Sequence, residues 1–377
     1  MDIKRLTSGI CSSRITLCMV ISVQEYFLAA AAIDSADTKS LVKDLIRHCQ
    51  QYQGADTRRG LIQLAVTFGL FLVMSGVMIW GMAAEFYWPL VLILPTGGLL
   101  VRLFIIQHDC GHRSFFHSDR ANDMVGRFLS LFTLTPYDFW RQAHNMHHAG
   151  SGNLDRRGIG SIDTLTVEEF KKLSPRQQLL YRFYRHPFIL LVLGTPFHVL
   201  VLQRFPCQQG SPFFENYKAM SFSRAWKSVF GLDLALVAFY GLLVFFLGLD
   251  VLMLVFLAPA VIAAWVGGWL FFIQHQFEDA YWQHTNGWSF QEAAVLGSSY
   301  YVLPKFLNWF TGNIGIHHVH HLCSAVPNYR LQECVRDSAT LQSLNCLTIS
   351  ESLKCLRWRL WDSSAQRMIG FRELRTA

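Results

Sequence analysis

Ten of the fifteen histidines in this 377-residue chain fall in four places. They are His108 and His112 in "HDCGH", His144, His147 and His148 in "HNMHH", the separate His275, and His317, His318, His320 and His321 in "HHVHH". An α-helix turns about 100° per residue, so side chains at i, i+3 and i+4 share a face. On helices, His108 and His112 stand one turn apart, and His144, His147 and His148 form a fan of imidazoles. Two triads in the last run fit the same face: His317, His320 and His321, or His317, His318 and His321. The HxxHH pattern at 144 recurs as His317, His320 and His321. That selects the first triad and leaves His318 as a bystander or as a group behind the ligands. Neutral imidazole binds zinc, copper, iron and nickel. The zinc-protease pattern HExxH is absent, because Asp109 follows His108 and the spacing there is HxxxH. Eight clustered histidines exceed the needs of one ion and suit a pair of ions with open positions.

Long apolar helices must carry these groups. The chain is 52% hydrophobic and only 16% charged, where an average soluble domain has about 25% charged residues. Four segments are long enough to cross a bilayer core, which takes roughly 20 residues. They cover about 61–82, 88–107, 228–248 and 251–274 and pair into two tight hairpins. A run at 188–202, interrupted by Gly194 and Pro196, reads as an interfacial or re-entrant piece. Of 33 Lys and Arg, only Arg102 falls inside a span, and the turns at 83–87 and 249–250 hold Glu85 and Asp250 with no cation. Positive charge marks the cytoplasmic side. The histidines and both termini are therefore expected in the cytoplasm, and the net charge of +7 is a topology signal rather than a nucleic-acid patch. Arg102 is expected to snorkel to the cytoplasmic headgroups. The spans read as free of acidic or histidine residues at mid-membrane.

The expected fold is thus an all-α integral membrane protein, with an N-terminal arm (1–55) and a membrane domain (56–377) whose helical cap spans 108–227 and 275–377. The arm reads as poorly ordered, and residues 1–33 as a loose extension or an over-called start rather than a cleaved signal. The nine cysteines form no CxxC pair and read as scattered reduced thiols. Each second span ends in a Gln-His pair, Gln107-His108 and Gln274-His275, which places both histidines at one depth. A histidine-rich site at a membrane surface beside an apolar substrate points to iron.

"HDCGH", "HNMHH" and "HHVHH", separated by spans in this order, resemble the three histidine boxes of membrane-bound fatty acid desaturases. The resemblance runs from about residue 55 onward. The flanking text "HDCGHRSFF", "SGNLDRRGIGSIDTLT" and "HHVHHLCSAVPNYRL" is similar to the bacterial omega-6 (delta-12) acyl-desaturase branch. It implies a di-iron centre, O2 as co-substrate, an acyl-lipid or fatty acyl substrate, and electrons from a ferredoxin or cytochrome b5 type donor in the bacterial inner membrane. With no HPGG haem signature in the chain, that donor is expected to be a separate protein. The ligands implied are His108, His112, His144, His147, His148, His317, His320 and His321, with His275 as the histidine outside the boxes. Asp109, Asn145 and Gln274 are candidates for orienting imidazoles from behind. His48, His117, His186, His198 and His284 lack box spacing and read as structural or interfacial. Aromatic-rich stretches at 135–140 and 305–312 are candidates for a tunnel entrance or for interfacial anchoring. The same boxes would serve a lipid, alkane or carotenoid hydroxylase or ketolase. From other classes stand a b-type haem electron carrier with His108 and His275 as axial ligands, and a metal transporter, for which the spans offer no path.

Overall fold

The computed structural model describes residues 35–158, 160–206, 213–214 and 220–375; the reading of 1–33 lies outside them. Helix α1 (Ser35–Gln50) precedes α2 (Thr57–Ala83), which opens at Asp56, whose carboxylate accepts the Arg59 backbone N–H at 3.0 Å. A 3-10 turn at Trp88–Leu92 leads into α3 (Ile93–Gly111), followed by α4 (Asp119–Thr133) and α5 (Tyr137–Gly150). A π-turn at Phe188–Leu193 runs into α6 (Gly194–Leu200); α7 (Phe222–Leu247) and α8 (Ala258–His275) form the second hairpin. The short α9 (His317–Leu322) and α10 (Asn328–Arg336) close the cap. Among the described residues, five short strands, β1 (Leu165–Thr166), β2 (Tyr300–Tyr301), β3 (Cys346–Leu347), β4 (Leu360–Asp362) and β5 (Arg367–Ile369), make two small sheets ordered β1-β4-β5 and β2-β3.

Among the described residues four helices are long and apolar enough to cross a membrane: Thr57–Ala83, Trp88–Gly111, Phe222–Leu247 and Leu249–His275. These are the four spans expected. Their outer faces invert the pattern of a soluble protein. On α2 the buried stripe is Gly60, Gln63, Thr67, Phe71, Ser75, Met78 and Gly81, while Leu61, Leu72 and Val73 point outward. Phe245 and Phe246 on α7 are 80% and 73% exposed. Contiguous apolar surface of this kind is stable against lipid, where every backbone group is already satisfied inside the helix. The run at 188–202 belongs to a helix, Phe188–Arg204, bent by 60° from Pro175–Tyr184. That bend suits a broken or re-entrant piece rather than a fifth straight span.

Three expectations need correction. The arm does not stay loose over its described part: α1 buries Leu45 and Cys49 against Val319, Leu331 and Cys334, and His48 Nε2 donates to the Cys334 carbonyl at 2.9 Å. Arg102 does not snorkel. Its guanidinium donates to Thr67 Oγ1 at 3.1 Å and to the Trp309 carbonyl, and stacks 4.4 Å over the Trp309 ring. Partners within reach lower the cost of a charge at that depth. The spans are also not free of acid, because Asp233 sits inside α7 and pairs with Arg204 at 2.8 Å.

Candidate metal centre

The two Gln-His pairs show how the spans deliver their histidines. Gln107 Nε2 donates to the carbonyls of Gly126 and Thr135 and to Ser130 Oγ, while its Oε1 accepts from Thr133 Oγ1 at 2.6 Å. This ties the end of α3 to α4. Gln274 Nε2 donates to the Ile314 carbonyl at 2.9 Å and holds the approach to α9. Between α4 and α5 the chain reverses at Leu134, in the left-handed region at φ 57°. Gly126 lets the helices close: a Cβ there would sit 2.2 Å from the Tyr137 ring. Tyr137 in turn donates to the Cys110 carbonyl at 2.8 Å.

The result is two adjoining clusters of ring nitrogens. His108, His112, His144, His148 and His320 form one; His147, His275, His317 and His321 form the other; in each, the candidate ligand atoms lie within 4.8 Å of one another. Helix periodicity does the sorting. On α5 His144 and His148, one turn apart, face the first cluster, and His147 faces the second. On α9 His317 and His321 face the second and His320 the first. The His148 and His321 rings stack at 4.2 Å where the clusters meet.

A shared cation in each cluster would satisfy this packing. His144 Nε2 lies 3.0, 3.0 and 3.1 Å from the Nε2 atoms of His108, His112 and His148, yet a neutral ring nitrogen offers one lone pair or one proton. His275 Nε2 lies 3.2 Å from His147 Nε2 and 3.0 Å from His317 Nε2, and the buried His321 Nε2 has no hydrogen-bond partner. Burial, with neighbouring imidazoles adding to it, pushes His112, His144, His147, His148, His317, His320 and His321 well below the ordinary histidine value. These seven rings are thereby held toward the neutral form, the state in which imidazole ligates. Five nitrogens and four nitrogens fit two ions of the kind that imidazole favours.

Groups behind the rings fix their tautomers. His108 Nδ1 donates to Asp109 Oδ1 at 3.1 Å, and His275 Nδ1 donates to the Gly297 carbonyl at 3.2 Å; both leave an Nε2 lone pair for the centre. Asp109 is held by the Asn328 backbone N–H and side-chain amide at 2.6 and 2.8 Å, and Gln63 donates to Asn328 Oδ1 at 2.9 Å. Asn328 has no short-range signal in the sequence, since it meets Asp109 only through the fold. Two other expectations fail here. Asn145 is exposed on the outer side of α5, and Gln274 holds backbone rather than an imidazole. His318 is turned away: its Nε2 donates to the Leu341 carbonyl at 3.0 Å and burial lowers it to about 4. His48 and His284 bond Cys334 and Asp155 instead. His108 and His275 fall in different clusters, so the pair suggested for a haem does not face one cofactor.

A mostly apolar cavity of about 510 Å³ runs beside the clusters. His108, His144 and His317 close one end; Phe104, Trp140 and Phe271 wall it; and it follows α8 down to Ala260.

Comparison with known proteins agrees with this geometry. Residues 83–349 match the family described as "Fatty acid desaturase". The chain is 38% identical to the "Fatty acid desaturase" of Bacillus subtilis (strain 168), over 88% of this chain and 92% of that protein. It is 29% identical to the "sn-1 acyl-lipid omega-3 desaturase (ferredoxin)" of Synechocystis sp. (strain ATCC 27184 / PCC 6803 / Kazusa), over 66% of each. The "sn-1 oleoyl-lipid 12-desaturase" of the same organism is 25% identical over 63% of this chain and 64% of that protein. Nine imidazoles in two facing sets, carried by the ends of two long apolar helices and by α5 and α9 beside a mostly apolar cavity, together with these matches, establish that the chain belongs to the fatty acid desaturase family.

Proposed function

We propose that this protein is an acyl-lipid desaturase that introduces a cis double bond into a membrane lipid chain at a di-iron centre. His108, His112, His144, His148 and His320 would hold one iron, and His147, His275, His317 and His321 the other. When bound and reduced by a separate ferredoxin-type donor, two irons with O2 supply an oxidant able to take hydrogen from an unactivated methylene. The protein's own part is position and dryness. Asp109 and the Gly297 carbonyl hold His108 and His275 in the ligating tautomer. Phe104, Trp140 and Phe271 exclude water from the cavity in which the acyl chain lies. The Synechocystis relative whose printed name includes ferredoxin supports that donor class, and the 12-desaturase relative supports the 12-position. The observation that carries the reading is the pairing of two buried imidazole sets with a mostly apolar cavity that His108, His144 and His317 help to line.

The same reading puts the histidines, the cap and both termini on the cytoplasmic side of a bacterial inner membrane, as the cation distribution supports. Expression in a host without polyunsaturated lipids, followed by mass-spectrometric location of any new double bond, tests the proposal. A diunsaturated chain desaturated at carbon 12 is expected; a hydroxyl or keto group instead would move the protein to the oxygen-inserting branch of the superfamily. Purified protein should carry two irons per chain, and active protein carrying zinc would end the di-iron reading.

A further inference from the structure

Residues 302–314, which include the aromatic stretch at 305–312, leave the cap and return to it. The base of this excursion is clasped: the Tyr301 N–H donates to the Gly315 carbonyl at 2.7 Å, and Tyr300 pairs with Ile316 in an antiparallel bridge. Between those ends the short helix Lys305–Phe310 packs beside α3. The Phe310 ring reaches Gly98, where an added Cβ would lie 2.7 Å from Phe310 Cδ1. Gly98 stands about 15 Å along α3 from His108 at 1.5 Å per residue. The chain then reverses through Gly312 and Asn313, both left-handed at φ 54° and 59°. Gly312 comes back close against Ile105, whose Cγ2 would lie 2.8 Å from an added Cβ. Val302 and Phe306 stay exposed, as suits apolar side chains facing lipid. The returning end leads straight into α9 and its histidines.

Arg102 grips the far end of this loop. The last carbonyls of a helix lack partners within it, and beside an apolar span no water replaces them. The Arg102 guanidinium donates to one of them, the Trp309 carbonyl, and stacks over the Trp309 ring at 4.4 Å. Its Nε anchors the grip on Thr67 of α2 at 3.1 Å. A cation inside a span is costly, and where one is kept it marks a function. Two further ties hold the returning end. Asn313 Nδ2 donates to the Asn328 carbonyl at 3.1 Å, and the Ile314 carbonyl accepts from Gln274. Asn328 is also the residue that holds Asp109 behind His108.

We propose that Arg102 is a positioning residue for the metal centre: by gripping the Trp309 carbonyl it fixes the re-entrant loop that presents His317, His320 and His321. This rests on the di-iron reading above and adds to it a residue six positions, about 9 Å, from His108. The aromatic stretch at 305–312 is then the arm that carries the third box. Slack in the arm falls hardest on the second cluster, to which α9 gives two of four rings, against one of five in the first.

The test uses full-length protein in nanodiscs, with ferrous iron titrated against a competing chelator in the absence of oxygen. Arg102→Met should weaken iron binding about 10- to 100-fold, the range for groups that act from behind a metal ligand, with the larger loss at one of the two irons. Hydrogen exchange in the metal-free variant should quicken at 309–322 while α4 and α7 keep wild-type rates. Iron held as tightly as by the wild type would overturn the proposal. So would exchange that quickens evenly through cap and spans, the mark of a general loss of stability. Should the variant fail to fold, the wild type decides: coupling is reciprocal, so iron binding must slow exchange at 309–314, and unchanged rates there refute the assignment. A wild type that takes up no iron in this titration defeats the di-iron reading itself, whereas a wild type that binds two irons beside an equally tight Arg102→Met defeats this proposal alone.

Discussion

A single histidine decides how the third box is read. His318 sits among four candidates, yet its ring donates to the Leu341 carbonyl and takes no place in either cluster. His320→Ala should cost about one of two irons per chain, measured by elemental analysis, and abolish desaturation. His318→Ala should keep both irons and lose stability by about 1–3 kcal/mol, because the Leu341 carbonyl is left buried without its donor. Asn328 is the complementary case, since it touches no imidazole but supplies two of the hydrogen bonds on Asp109. Asn328→Ala keeps the backbone donor and removes the amide. Loosening of His108 should then weaken iron binding about 10- to 100-fold, the usual loss for a group behind a metal ligand. Metal titration against a competing chelator measures it. No loss of affinity would show that the backbone N–H of Asn328 is enough.

Helices place the histidines by how closely they cross. The bent helix Phe188–Arg204 meets α8 at Thr195 and Gly268, where an added Cβ would lie 2.1 Å from Thr195 Cγ2. The Trp265 indole fastens the same crossing by donating to the Val192 carbonyl at 2.9 Å. Small residues at helix crossings let backbones approach within a membrane. Gly268→Val should therefore push the helices apart at a cost of roughly 1–3 kcal/mol, read as a fall in melting temperature. Thr195→Gly should restore much of it in the double variant, whereas additive losses would mean that the two sites are not in contact. The 188–202 run was legible as irregular from Gly194 and Pro196. That it walls the cavity was not, because its partner on α8 is far along the chain.

Across the whole molecule the two clusters act as a clasp. Each draws on separate parts of the chain: α3, α5 and α9 for the first, and α5, α8 and α9 for the second. Ions bound only by the folded state stabilise it by mass action, by about 4 kcal/mol when free metal stands a thousandfold above its dissociation constant. Removing the metal with a chelator should lower the melting temperature and raise proteolysis in the cap more than in the spans. Adding back iron should reverse both. An unchanged melting temperature after complete metal loss would show that α1 and the cap core, around Leu45, Val319 and Leu331, hold α9 in place without help.

Sequence alone determined the spans and proposed the eight box histidines as a set, with His317, His320 and His321 chosen in the last box; the structure brings these histidines together in the two clusters. The sequence readings follow from local rules, namely apolar length, 3.6-residue periodicity and a repeated HxxHH. His275 was found because topology gives it the depth of His108. The division into five and four was not legible, since i+3 and i+4 neighbours on one helix separate only once a second helix stands on each side. Arg102 was misread because its partners, Thr67 and Trp309, come from other elements. The Asp109–Asn328 contact was invisible for the same reason. Periodicity assigns a side chain to a face of its own helix, and only tertiary packing decides what that face meets.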